Sequence, residues 1–131
     1  MKKTAIINSR ISAVIATMGH TDSLAIGDAG LPIPDCAERI DLAVMPGVPS
    51  FADVLSNVLT ELEVEEIVLA EEIKLNNSNL DATLKSMFAD KKITYVSHSQ
   101  FKKQTEGCKA VIRTGEFAPY ANIILKSGVV F

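Results

Sequence analysis

What most constrains the fold of this chain is a change of hydrophobic period that recurs along its length. Short apolar runs at residues 23–26, 40–44, 66–73, 93–96, 110–113 and 121–125 have the length and aliphatic content of buried strands. Among them lie stretches whose apolar residues recur three and four apart, the spacing of one helix face. Ile11, Val14, Ile15 and Met18 form the first such face, with Asn8 or Ser9 as its cap and Gly19 closing it in a left-handed conformation. Ser50 caps a second helix carrying Phe51, Val54, Leu55, Val58, Leu59 and Leu62. Residues 80–88 form a third, with Leu80, Leu84, Met87 and Phe88 facing inward, and a short polar helix spans residues 99–106. Leu31-Pro32-Ile33-Pro34 must be extended, and Pro46-Gly47 closes the second strand. Strands alternating with helices build a sheet covered on both faces. The expectation is one α/β domain over residues 1–131, a three-layer sandwich whose central sheet is mostly parallel or mixed and is flanked by helices.

Aromatic residues are only 5% of the chain and Trp is absent, so the core must be aliphatic. The mean hydropathy of +0.22 is high for so small a domain. Two readings stay open: a purely aliphatic core, or apolar surface held in a subunit interface. The net charge is −3, and Lys102-Lys103, the densest internal basic pair, reads as solvated surface. No basic stripe marks a nucleic-acid partner. Met1-Lys2-Lys3-Thr4-Ala5-Ile6-Ile7 starts like a secretory signal, but the apolar run stops at Asn8-Ser9-Arg10. With no stretch near the roughly 20 apolar residues of a membrane helix, the expected compartment is the cytoplasm, where Asn76-Asn77-Ser78 carries no glycan. Cys36 and Cys108 are far apart and fit reduced thiols, and no His or Cys spacing suggests a metal.

The chain has no G-x-G-x-x-G, no phosphate-cradling G-x-x-x-x-G-K-[ST] and no G-x-S-x-G, which argues against redox, kinase and esterase chemistry. Ligands of open α/β sheets bind beyond the carboxyl ends of the strands. Asp28, His98 and Arg113-Thr114-Gly115-Glu116 all fall at such ends. His20 and His98 are the two histidines, the side chain best suited to proton transfer near neutral pH. His20 also fits a solvated helix end, and His98 a surface residue near a helix cap. Asp28 fits either a turn residue or a carboxylate that accepts from sugar hydroxyls. Tyr120 and Asn122, alternate residues at the start of the last strand, are expected to point the same way and reach one ligand together. Arg113 and Glu116 are expected to pair and hold the preceding turn.

Met18-Gly19-His20-Thr21-Asp22, Gly27-Asp28-Ala29-Gly30-Leu31-Pro32-Ile33-Pro34 and Arg113-Thr114-Gly115-Glu116-Phe117-Ala118-Pro119-Tyr120-Ala121-Asn122-Ile123-Ile124-Leu125 together resemble the D-ribose pyranase family, whose sibling is L-fucose mutarotase. The motifs lie near both ends and in the expected order, so the resemblance covers nearly the whole chain. It implies a cofactor-free, metal-free isomerase that interconverts the pyranose and furanose forms of free D-ribose, and its anomers, in ribose catabolism. It implies His20 as the catalytic proton donor, and Asp28, His98, Tyr120, Ala121 and Asn122 as substrate-binding positions. It also implies a homo-oligomer, a decamer of two stacked pentameric rings, with sites near subunit boundaries. Phe117-Ala118 departs from the more polar residues of the family. The expectation is that the His20 imidazole shares a cavity with Asp28 and Tyr120. The competing readings are a non-catalytic sugar-binding or regulatory module and an L-fucose mutarotase.

Overall fold

The side chain of Asn8 accepts from the N–H groups of Arg10 and Ile11, which starts helix α1 (Ser9–Thr17). The structure, a computed structural model, describes every residue from Met1 to Phe131. After α1 come β1 (Ser23–Gly27), β2 (Glu38–Asp41), α2 (Phe51–Val58), β3 (Val64–Ala70), α3 (Ile73–Asn76) and α4 (Ser78–Met87). They are followed by β4 (Lys92–Val96), α5 (His98–Gln104), a 3-10 turn at Thr105–Gly107, β5 (Ala110–Arg113) and β6 (Ile123–Ser127). The six strands form one sheet in the order β2-β5-β1-β6-β3-β4. β1, β2 and β5 run parallel, as do β3 and β4, and β6 lies antiparallel between β1 and β3. The sheet is therefore mixed, with one reversed strand.

Alternate residues divide the core between the two faces. Leu24 and Ile26, Ile67 and Leu69, and Ile123 and Leu125 pack in one cluster with Ile11, Val14, Val54, Val58 and Leu84 of α1, α2 and α4. Their neighbours Ala25, Val68, Val111 and Ile124 join Leu31, Ile33, Ala37, Phe101 and Cys108 on the other face. The three layers expected are present but uneven. Three helices cover one face, and α5 with the extended 31–37 segment covers the other. Burying one side chain such as Phe101 contributes about 1.5–3 kcal/mol.

Several boundaries differ from expectation for local reasons. Gly19 does not end α1 in a left-handed conformation, because Met18 already leaves the helix extended. The positive φ falls on Thr21 instead, at 70°. β2 starts earlier and stops at Asp41, since the chain beyond it is drawn into a Met45–Val48 bridge. β3 starts at Val64, and Ile73 belongs to a helical turn. Leu62 is buried beyond the end of α2, and Met87, expected inside, is exposed while Phe88 takes the buried place. The last strand begins at Ile123 rather than Ala121. All five parallel strands deliver their carboxyl ends to one edge, and β6 starts there.

Candidate functional site

Asp28 leaves the end of β1 at that carboxyl edge and is fixed by Asn122. The Asn122 Oδ1 accepts from the Asp28 N–H at 2.9 Å, and its Nδ2 donates to Asp28 Oδ2 at 2.9 Å. Asn122 is 1% exposed, and both its amide oxygen and its amide nitrogen bond to Asp28. The other Asp28 oxygen accepts from Gly30 N–H at 2.9 Å. The approach requires glycine at 27, where a Cβ would come within 3.0 Å of Asn122 Oδ1 and closer still to Leu31. Thr114, buried, donates its hydroxyl to the Gly27 carbonyl at 2.8 Å and ties β5 to the same spot.

A cleft of about 380 Å³ opens beside Asp28, walled by Ala29, Gly30, Arg113, Glu116 and Phe117. Its volume falls in the range of small-ligand sites, about 300–1,000 Å³. Arg113 and Glu116 do not pair with each other. Arg113 donates to the Ala29 carbonyl at 3.0 Å and pairs with Asp41 at 3.1 Å, because Asp41 ends the neighbouring strand β2. Glu116 turns back to accept from the Phe117 and Ala118 N–H groups at 3.0 and 2.9 Å.

His98 is the first residue of α5, after Ser97, whose hydroxyl caps the helix. Its N–H is held by both carboxylate oxygens of Glu72, at 3.0 and 3.1 Å, and that contact keeps the Glu72 carboxyl below its usual range. The imidazole stacks on Phe101 and meets the Tyr120 ring edge-on, with centroids 5.2 Å apart. Its Nδ1 is buried with no hydrogen-bond partner. Tyr120 has φ 56°, a costly conformation for a bulky residue. Tyr120 and Asn122 therefore do not point the same way along a strand. The turn sends Tyr120 to His98 and Asn122 to Asp28. The Ala121 side chain is buried in the core, so only its main chain can meet a ligand.

His20 lies elsewhere. It precedes β1, whereas Asp28 follows it, so they are separated by a five-residue strand, about 17 Å at 3.3 Å per residue. The loop that presents it is anchored at the far edge of the sheet. Asp22 Oδ2 accepts from Gly19 N–H at 2.9 Å, which holds the Asp22 carboxyl below its ordinary value. Thr21 N–H donates to the Ser127 carbonyl at 2.9 Å. The imidazole is about half exposed, with Nε2 2.8 Å from Glu65 Oε2. It lines a groove with Ile15, Met18 and the tail residues Val129, Val130 and Phe131. One chain thus brings together Asp28, His98, Tyr120 and Asn122 at one edge and sets His20 at the other, contrary to the expectation of a cavity shared within the chain. Thr114, part of the strand-end cluster expected from the sequence, supports these groups, as do Glu72 and Glu65, which were not singled out from the sequence. No three His, Cys, Asp or Glu side chains converge as metal ligands would.

Fold and site define a class: an α/β protein with a carboxylate, an imidazole and a phenol at the carboxyl edge of its sheet, beside a cleft of small-ligand size, and with no phosphate loop. The chain belongs to the RbsD / FucU transport protein family, which it matches over residues 1–130. It is 56% identical over 131 residues to a D-ribose pyranase of Clostridium perfringens, covering the whole of both chains. Its fold is similar to that of Bacillus subtilis RbsD complexed with D-ribose, with a TM-score of 0.97, 47% identity and full coverage of both chains. The fucose mutarotase in complex with L-fucose from Streptococcus pneumoniae is a more distant likeness, with a TM-score of 0.79, 26% identity and full coverage of both chains.

Proposed function

We propose that this protein is a D-ribose pyranase, an isomerase that opens the ring of free ribose and recloses it between pyranose and furanose forms. The observation that carries this is the end-to-end similarity to D-ribose pyranases, joined to a cleft at the carboxyl edge of the sheet into which Asp28, Arg113 and Glu116 are set. The chemistry is a balanced shuttle of protons. A base takes the proton from the anomeric hydroxyl O1 as the C1–O5 bond breaks, and an acid returns one to O5, leaving the open aldehyde. After rotation about C–C bonds, O4 attacks C1, its proton leaves, and O1 is reprotonated, which gives the five-membered ring. General acid–base help is worth about 10²–10⁴-fold, enough for a reaction that already proceeds in water.

In this scheme His20 carries the protons, Asp28 and the His98 imidazole accept or donate to sugar hydroxyls, and Tyr120 and the Ala121 main chain bound the ring. Asn122 holds Asp28 in place. Because His20 lies at the opposite edge from these groups, the complete site takes His20 from one copy of the chain and the other residues from a second. Exposed apolar side chains support such a contact on both sides: Val129, Val130 and Phe131 near His20, and Val44, Met45 and Phe117 near the Asp28 cleft. The assembly expected from the family is a ring decamer. The proposed compartment is the cytoplasm, in keeping with the unpaired Cys36 and Cys108. No helix is long and apolar enough to cross a membrane.

NMR saturation transfer between the ring forms of ribose tests the proposal, with L-fucose run beside it. The expected result is accelerated exchange of ribose over fucose, lost in His20→Ala. Ribose binding by calorimetry without faster exchange overturns the enzyme in favour of a binding module. Preference for fucose makes the protein a mutarotase of the sibling type.

A further inference from the structure

We propose that Glu65 is a positioning residue that sets the working tautomer of His20. The proposal rests on His20 as the proton carrier. An ionised carboxylate only accepts hydrogen bonds, so at 2.8 Å from Glu65 Oε2 the Nε2 atom carries the proton. Nδ1 is then the ring atom with a free lone pair, and it meets the sugar. A general base oriented by a third group is a recurrent arrangement in proton transfer.

A half-exposed pair of this kind contributes little stability. What marks it out is the backbone that builds it. On β6, Lys126 and Ser127 are consecutive, yet they face Glu66 and Val64 of β3, so Glu65 is the extra residue of a bulge. Bulges re-aim side chains and recur beside active sites. The bulge closes against Gly128, where a Cβ would sit 3.3 Å from the Glu65 Cβ. The His20 loop is fixed to the same end of β6: Thr21 N–H donates to the Ser127 carbonyl, and Ser127 N–H donates to the Asp22 carbonyl at 2.8 Å. Thr21 is held there at φ 70°, strained for a β-branched residue. Both partners are therefore located from Ser127 by irregular backbone. Of the nearby carboxylates, Glu63 pairs with Lys91 and Glu66 with Lys92 and Lys126, whereas Glu65 turns to an imidazole.

The test combines ribose exchange kinetics with long-range ¹⁵N correlation spectra of His20 in the intact protein and in Glu65→Ala, Glu65→Gln and Glu65→Asp. The expected result is a fall in kcat of about tenfold in Glu65→Ala with KM within about twofold. Glu65→Gln, which can present an N–H to Nε2 and favour the opposite tautomer, falls at least as far, and Glu65→Asp retains most activity. The spectra show the proton on Nε2 in the unmodified protein, a mixture in Glu65→Ala and a shift towards Nδ1 in Glu65→Gln. Unchanged kcat, a loss confined to KM, or an unchanged tautomer in Glu65→Ala and Glu65→Gln overturns the role of Glu65. His20→Ala separates the two layers. If it is inactive while the Glu65 variants are unaffected, only the positioning role falls. If it is fully active, the His20 assignment and the positioning role fall together.

Discussion

Replacing Asn122 by Asp changes one atom type in the buried clasp around Asp28 and should make stability depend on pH in a way that Asn122→Ala does not. In the native clasp Asn122 Oδ1 accepts from the Asp28 main chain and Nδ2 donates to the Asp28 carboxylate, both at 2.9 Å. Alanine removes both bonds. A hydrogen bond to a charged group contributes about 1.5–3 kcal/mol and a neutral one about 0.5–1.5. Asp28 is partly open to water and recovers some of this, so the loss is expected near 2 kcal/mol at any pH from 5 to 8. Aspartate keeps the first bond but sets a second carboxylate against Asp28 Oδ2. Two charges about 4 Å apart repel by about 4 kcal/mol at an effective dielectric near 20. The pair must then share a proton, which raises one carboxyl of the variant above its unfolded value. A raised folded-state value means stability present at low pH and lost as pH climbs through it. Asn122→Asp should thus be less stable than Asn122→Ala at pH 7 and recover most of the difference by about pH 5. Urea unfolding followed by circular dichroism, at fixed protein concentration because assembly contributes, measures this. Equal stability of the two variants at pH 7, or a gap that ignores pH, refutes the clasp.

Other substitutions probe the surrounding frame. Gly27→Ala drives a methyl into Leu31 and Asn122, with an expected loss of about 1–3 kcal/mol in thermal unfolding and weaker ribose binding by calorimetry. Phe101 is fully buried and carries the thinner layer under His98, so Phe101→Ala should cost about 3–5 kcal/mol in denaturant titration. For Glu66, burial opposes the charge, but the Thr94 hydroxyl and the Lys126 and Lys92 ammonium groups outweigh it and hold its carboxyl below the ordinary 4.5. Its contribution is therefore complete at neutral pH and fades as pH falls below 4.5 towards the lower folded value. Thermal melts should fall more steeply with acid in the native protein than in Glu66→Gln.

The alternation of strand and helix was legible in the sequence because it follows from side-chain period alone, and the caps Asn8 and Ser50 lie where short polar side chains precede apolar faces. Asp28 and His98 were legible as strand-end residues. The reversal of β6 was not, since pairing direction depends on a connection, residues 114–122, whose path is set by Gly115 packed against the Val48 backbone and by the left-handed Tyr120. For the same reason the direction of Tyr120 was misread: alternation holds only inside a strand. The separation of His20 from Asp28 follows from their lying before and after one strand, a distance obscured by their nearness in sequence. Glu65 left a trace that went unused. Glu65-Glu66 places two polar residues in succession at the start of an otherwise apolar strand, and a break in the two-residue period is what a bulge produces.

A site shared between copies of the chain is tested most directly by mixing two inactive proteins. His20→Ala lacks the proton carrier but keeps the Asp28 cleft, and Asp28→Ala does the reverse. Unfolded together and reassembled at equal amounts, they should form native sites at the contacts where an Asp28→Ala chain lends His20 to a His20→Ala neighbour, roughly one site in four for random closed rings. Ribose exchange by saturation transfer should return to about that fraction of the unmodified rate, while each variant reassembled alone stays inactive. A mixture no more active than its parents would place both residues in one chain's site and contradict the account.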